Sequence, residues 1–170
     1  MPTVSEALAA LDGVASTHAL SMAGVSGRNL EWGVAAGSVQ RIARGVYAHP
    51  QADPVLIHAG RHHAVLGCVS AARAAGLWVV SQPDRPHLAA SHGRPIPGCI
   101  VHRSRIPLTP LDVVCQSLRC LAPLEGLTIA ESAVKNGSSN CLPCGSGFRP
   151  SAKRASGSWW HGSAPNPGPS

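Results

Sequence analysis

Four cysteines have side chains and spacing that could hold a zinc ion. Cys141 and Cys144 form a C-x-x-C pair, and Cys115 and Cys120 would bring the set to four thiolates. Cys115 and Cys120 lie five positions apart on one predicted helix, so their side chains point to different sides of it. We therefore predict no zinc site here and no cofactor for the chain.

Other residues with reactive side chains do not assemble into an enzyme site. His58 and His62 would share one helix face, but no nearby Glu or third ligand completes a metal site. The acidic residues do not form a carboxylate cluster followed by Lys, as a nuclease would require: Asp84, Asp112, Glu125 and Glu131. Glu131 and Lys135 have the spacing of an ion pair on an exposed helix face. The sequence predicts a protein that is not an enzyme.

Five polar and basic residues have the side chains needed to contact double-stranded DNA: Ser26, Arg28, Asn29, Arg41 and Arg44. Arg28 can pair with guanine or phosphate, and Asn29 can read adenine, if both lie at the start of a helix in the major groove. Arg41 and Arg44 would contact phosphates from a hairpin that lies over the backbone.

The first 50 residues contain the elements that would position those side chains. Capping residues begin three helices, at Thr3, at Ser16 or Thr17, and at Ser26, and residues 14–15 form a short extended piece between the first two. Residues 39–42 and 45–47 are β-prone and are joined by a turn at Ala43-Arg44. Three helices followed by a basic hairpin is the order of a winged helix-turn-helix.

Residues 51–137 are predicted to form a small mixed α/β middle domain, which makes the fold class α+β. Ser70 caps a helix that ends at Gly76, and residues 77–80 continue as a strand. Two short strands follow, at 86–89 and 100–103, and then two helices, at 110–121 and 124–134.

The composition changes after Asn136-Gly137. Residues 138–170 contain no Asp or Glu and are mostly Gly, Pro and Ser, so we predict a disordered tail. Disordered tails are usually poor in Cys and Trp, whereas this one holds Cys141, Cys144 and Trp159-Trp160. A shifted reading frame accounts for that composition better than an evolved linker. The codons of residues 162–170 permit, in the displaced frame, a continuation such as Lys-Arg-Ser-Glu-Ser-Gly-Thr-Glu.

The charge and hydropathy of the chain limit the kinds of protein that it can be. The net charge is +6, but acidic and basic residues are equal in number over the first 50 positions, so placement of the arginines matters more than the total. The N-terminus lacks the basic start and apolar run of a signal peptide, and no segment approaches the ~20 apolar residues of a membrane span. We expect a cytoplasmic protein with reduced cysteines and no membrane partner.

Residues 13–15, 23–26 and 41–48, taken in order, resemble the N-terminal winged-helix domain of AbiEi-family antitoxins from type IV toxin-antitoxin systems. That resemblance implies a regulator that binds DNA upstream of its own operon and represses it, with Arg28, Asn29, Arg41 and Arg44 at the contacting positions. It also implies a cognate toxin as a partner, and a homodimer would supply the phosphate contacts that a single winged helix lacks.

The order of elements in the middle segment resembles actinobacterial proteins that join such a winged helix to a nuclease-like domain related to very-short-patch-repair endonucleases. The Ser-Glu-Ser-Gly pattern that begins the nuclease part is absent from this chain. The resemblance therefore implies truncation before the catalytic domain, and the alternative function is a non-catalytic N-terminal remnant of a nuclease-fusion protein.

Overall fold

The computed structural model of the chain describes residues 3–139. This part has mixed α and β structure, with seven helices and two three-stranded sheets. The helices are α1 (Val4–Ala9), α2 (Thr17–Met22), α3 (Gly27–Ala35), α4 (Pro54–Arg61), α5 (Cys68–Ala74), α6 (Pro110–Cys120) and α7 (Pro123–Ser139). The strands are β1 (Val14–Ser16), β2 (Gln40–Ala43), β3 (Val46–Ala48), β4 (Val65–Leu66), β5 (His87–Ala90) and β6 (Ile100–Arg103). No helix within residues 3–139 is long and apolar enough to cross a membrane.

The predicted capping residues of the first three helices are confirmed. Thr3 and Glu6 form a reciprocal capping box, and hydrogen bonds from Thr3 lower the pKa of the Glu6 carboxyl. The hydroxyls of Ser16 and Ser26 accept hydrogen bonds from the backbone N–H groups of Ala19 and Asn29, each at 3.2 Å. Each cap satisfies a backbone donor that the first helical turn leaves without an intrahelical partner.

The first sheet has the strand order β1-β3-β2, and all its strand pairs are antiparallel. Helices α1, α2 and α3 share a hydrophobic core with this sheet: Val4, Ala7, Leu8, Ala15, Leu20, Val25, Leu30 and Val39. Gly45 at the turn between β2 and β3 has φ +71° and accepts a hydrogen bond from the N–H of Thr17 at 2.8 Å. The turn is therefore held against the first residue of α2.

Helix α4, which follows the predicted domain boundary at residue 50, also packs on the first sheet. A Cβ atom at Gly60 would lie 2.8 Å from Ile42 Cδ1 and 2.9 Å from Val14 Cγ1, so the helix approaches the sheet closely there. The predicted boundary between residues 137 and 138 falls within α7. The rest of the predicted tail, residues 140–170, lies outside the described residues.

The second sheet has the order β4-β5-β6, in which β5 and β6 run parallel. Its two faces pack on different clusters. Ala89 contacts the core beneath α5, α6 and α7, whereas Leu88 and Ala90 contact a cluster that includes Ala59 of α4 and Ile96. The predicted strands at 86–89 and 100–103 and the two C-terminal helices are confirmed within a few residues.

Two predictions for the middle segment are wrong. The hydroxyl of Ser70 does not cap α5, which begins at Cys68, but accepts a hydrogen bond from the N–H of His87 at 2.9 Å. Residues 77–80 do not form a strand. The N–H of Trp78 instead donates to the buried hydroxyl of Ser132 at 3.0 Å, so a side chain satisfies the backbone group that a neighbouring strand would have bound.

Candidate functional site

The start of α3 presents the predicted DNA-contacting residues to solvent. Arg28 and Asn29 are exposed in the first turn, and Leu30 and Gly33 face the core on the opposite side. A Cβ at Gly33 would lie 3.2 Å from Val39 Cγ2, so α3 sits tightly on the residue that precedes β2. Burial of one side of α3 therefore fixes which side chains point outward.

The outward side of α3 carries more than the predicted contacts. Glu31 is exposed, and Trp32 is 71% exposed although it is a large apolar side chain. An exposed tryptophan has a flat apolar surface with one N–H donor, which suits a contact surface better than a core position. Sequence reasoning did not select Trp32, because its position two residues after the buried Leu30 gives little local signal.

Arg41 and Arg44 are exposed on the β2–β3 hairpin. Two hydrogen bonds hold this hairpin at the start of α2, since the Thr17 N–H and the Thr17 Oγ1 hydroxyl both donate to the Gly45 carbonyl, at 2.8 Å and 3.2 Å. Ser26 is exposed, but its hydroxyl is already engaged as the cap of α3. Of the five predicted residues, the two on α3 and the two on the hairpin therefore have exposed side chains, while Ser26 positions the helix.

A second group of reactive side chains lies in the middle segment and was not found from the sequence. We call it the Cys/His cluster, and it consists of Cys68, His87, His102 and Cys120. One donor atom from each side chain lies within 4.8 Å of the others. Cys68 and His87 are buried, His102 is half-buried and Cys120 is exposed.

Four different elements contribute to the Cys/His cluster. Cys68 begins α5, Cys120 ends α6, and His87 and His102 lie on the parallel strands β5 and β6. Residue Ala89 pairs with His102, and His87 is two positions before Ala89, so both imidazoles lie on the same face of the sheet.

Burial favours the neutral forms of Cys68, His87 and His102. Burial raises the pKa of the Cys68 thiol to about 11, and burial lowers the pKa of His87 to about 4, an effect increased by His102 and Arg85. Burial also lowers the pKa of His102. A thiolate paired with an imidazolium, as a cysteine nucleophile needs, is therefore not favoured.

The other residues considered from the sequence as metal ligands are Cys115, Cys141, Cys144, His58 and His62. Cys115 lies on α6 but is not part of the Cys/His cluster, and Cys141 and Cys144 lie outside the described residues. His58 and His62 make an edge-to-face ring contact with centroids 5.0 Å apart. Nε2 of His58 lies 3.1 Å from the Pro97 carbonyl, so this imidazole has a structural hydrogen bond.

No protein-family model matches the chain, and a search of curated proteins finds no match.

Proposed function

We propose that the chain is a DNA-binding transcriptional regulator that resembles an AbiEi antitoxin and represses its own operon. The observation that carries this proposal is the exposure of Arg28 and Asn29 on the first turn of α3, a helix whose other side is packed against the N-terminal core. In a winged helix-turn-helix, that turn would enter the major groove and the β2–β3 hairpin would lie over the backbone.

The two basic regions would contribute differently to binding. The guanidinium of Arg28 can form a bidentate pair with guanine, which discriminates between base pairs. Arg41 and Arg44 would contact phosphates, which strengthens binding to any sequence and makes it depend on salt. The even balance of charge in the first 50 residues favours local contacts over a general attraction to nucleic acid.

Residues 51–137 would serve as a partner or dimerisation domain in this proposal. Exposed leucines on α6 and α7 support an interaction surface, and they are Leu111, Leu118, Leu124 and Leu127. A homodimer would double the phosphate contacts of one winged helix and match a two-fold operator. Sedimentation at low concentration should reveal a dimer, and a strictly monomeric chain would leave a cognate toxin as the better occupant of this surface.

Arg28→Ala and Arg44→Ala should affect DNA binding in different ways. Arg28→Ala should weaken binding to the chain's own upstream DNA by about 1–3 kcal/mol and bring it closer to binding of scrambled DNA. Arg44→Ala should weaken binding to both DNAs and reduce the salt slope by about 1. Fluorescence anisotropy on both DNAs across a salt series measures the two effects.

Arg94→Ala is the matched control, because it removes one exposed positive charge from the segment between β5 and β6, which belongs neither to the proposed DNA interface nor to the exposed leucines of α6 and α7. Its affinity and salt slope should remain those of the parent chain. If Arg28→Ala and Arg94→Ala behave alike, the proposed placement of α3 in the groove is wrong. If the folded parent chain binds neither DNA, the remnant of a nuclease-fusion protein becomes the better account.

A further inference from the structure

We propose that the Cys/His cluster binds one zinc ion in a closed, structural site. The proposal is independent of DNA binding, and it begins from the convergence of two thiols and two imidazoles on one point in the middle segment. Two sulfur and two nitrogen donors are a set that zinc takes in tetrahedral structural sites.

The spacing of the donor atoms fits one ion at the centre of the cluster. His87 Nδ1 lies 3.1 Å from His102 Nε2 and 3.8 Å from Cys120 Sγ. Bond lengths of about 2.0–2.3 Å to nitrogen and sulfur place tetrahedral ligand atoms about 3.3–3.8 Å apart. These two separations lie at or near that range. The four donor atoms as a set lie within 4.8 Å of one another, so some side chains must move inward to bind one ion.

The surroundings of the cluster hold its ligands in place. Cys68 has a left-handed backbone with φ 48°, which is unusual for a residue other than glycine, and its N–H donates to Gln116 Oε1 at 2.8 Å. A Cβ at the preceding Gly67 would lie 2.9 Å from the same Gln116 oxygen and 3.0 Å from the Ala89 backbone nitrogen. The chain thus uses a strained residue and a close approach to direct the Cys68 thiol toward β5.

The chemistry of binding leaves no uncompensated charge in the buried site. Each thiol gives up its proton to solvent as its sulfur bonds to the ion, and each imidazole binds through a neutral nitrogen. Two thiolates then balance the two charges of Zn²⁺, so the assembled site is neutral overall. Because all four positions are filled by side chains, no position is open for a reacting water, and the expected role is structural.

The exposed Cys120 gives the ion a route to the buried donors. It also ends the helix that packs on α5 and α7, so a bound ion would join α5, β5, β6 and α6 at one point. We expect the ion to stabilise this part of the fold against unfolding.

The first experiment measures zinc in the full chain purified under reducing conditions without chelators. Elemental analysis should find one zinc ion per chain, and replacement by Co²⁺ should give the visible absorption of a tetrahedral site together with a thiolate-to-cobalt band. Cys120→Ser should lower the metal content to near zero. This variant alters an exposed side chain, so the fold should persist, as circular dichroism would verify.

Two controls separate this site from the other cysteines. Cys115→Ser changes a thiol on the same helix outside the cluster and should keep the zinc. The double variant Cys141→Ser/Cys144→Ser tests the C-x-x-C pair in residues 140–170 and should keep it as well. If the Cys141→Ser/Cys144→Ser variant loses its zinc while Cys120→Ser retains it, the proposal is wrong.

Two metal-free arrangements would also overturn it. In the first, His87 Nδ1 and His102 Nε2, which lie 3.1 Å apart, share a direct hydrogen bond and no metal. A folded chain that binds neither zinc nor cobalt would indicate this arrangement. A disulfide between Cys68 and Cys120, found by mass mapping of the chain kept free of reductant and free of metal, would indicate a redox pair instead.

Removing the ion should lower the thermal stability of the parent chain but not that of Cys120→Ser. A strong chelator should reduce the Tm of the zinc-loaded parent chain, because the ion binds the folded state more tightly than the unfolded one. Differential scanning fluorimetry with and without chelator tests this. An equal shift in parent chain and variant would show that the chelator acts elsewhere.

Discussion

Leu20→Ala is expected to lower the free energy of unfolding by about 2–5 kcal/mol, as removal of a fully buried leucine does when its surroundings cannot collapse. Leu20 is 0% exposed and lies in the cluster shared by α1, α2, α3 and the residues beside the first sheet. Urea unfolding followed by circular dichroism measures the loss, and the slope m shows whether the same surface is exposed in both proteins.

Met22→Ala is the matched control for that loss. Met22 is the last residue of the same helix, but its side chain is 77% exposed, so truncation removes little buried surface. A change below about 0.5 kcal/mol is expected. If the two variants lose similar free energies of unfolding, the assignment of Leu20 to the core is wrong. The packing of the buried side of α3 on that core would then also be in question.

If the proposed function is right, Leu20→Ala should also weaken DNA binding and Met22→Ala should leave it nearly unchanged. Helix α2 packs beneath the turn that leads to α3, because Val25 N–H donates to the Leu20 carbonyl at 3.0 Å. Loss of the Leu20 side chain should therefore weaken DNA binding as well, whereas Met22→Ala should leave both stability and affinity near those of the parent chain. Affinity lost without any loss of stability would place Leu20 nearer the interface than its burial allows.

The N-terminal elements could be predicted because their signals are local. Thr3, Ser16 and Ser26 each cap a helix through a backbone group three residues ahead, and that spacing is visible in the sequence alone. The hairpin was predictable to within one residue from its two β-prone runs. The turn was expected at Ala43-Arg44 and lies at residues 44–45, where Gly45 supplies the positive φ. Local chemistry is enough where the partners lie within a few residues.

The middle segment was less predictable because distant residues decide its structure. An apolar run at 77–80 has the pattern of a strand, but the Trp78 N–H is satisfied by Ser132, which lies 54 positions away along the chain. Periodicity reports which side chains are apolar and not which partner the backbone finds. The incorrect strand follows from that limit.

The Cys/His cluster shows the same limit more sharply. Its two histidines lie 15 positions apart, and only the parallel register of β5 and β6 brings them onto one face of the sheet. The cysteines come from helices on either side of that strand pair in the chain. Short motifs such as C-x-x-C have recognisable spacing, whereas a cluster assembled from four separate elements has none.

Gly13→Ala is expected to destabilise the protein by about 2–5 kcal/mol, because it combines two penalties. Gly13 has φ +84°, where an L-residue costs about 1–2 kcal/mol. An added Cβ would also lie 2.8 Å from Ala52 Cβ and 3.3 Å from Ala52 Cα, and forcing such an overlap costs about 1–3 kcal/mol. The Gly13 carbonyl accepts from the His49 N–H at 2.7 Å, so movement there would also disturb the pairing of β1 with β3.

Gly37→Ala separates the two penalties, since it has the same kind of backbone and no neighbour near the added atom. Gly37 has φ +71°, and nothing lies within 4 Å of a Cβ built there. Urea unfolding should therefore show a loss of about 1–2 kcal/mol for Gly37→Ala, from backbone strain alone. The excess in Gly13→Ala measures the overlap with Ala52, and equal losses would mean that the segment after the hairpin does not pack against Gly13 in solution. Because Ala52 lies directly before Asp53, the N-cap of α4, a large excess would indicate that the start of β1 packs against the start of α4 at this contact.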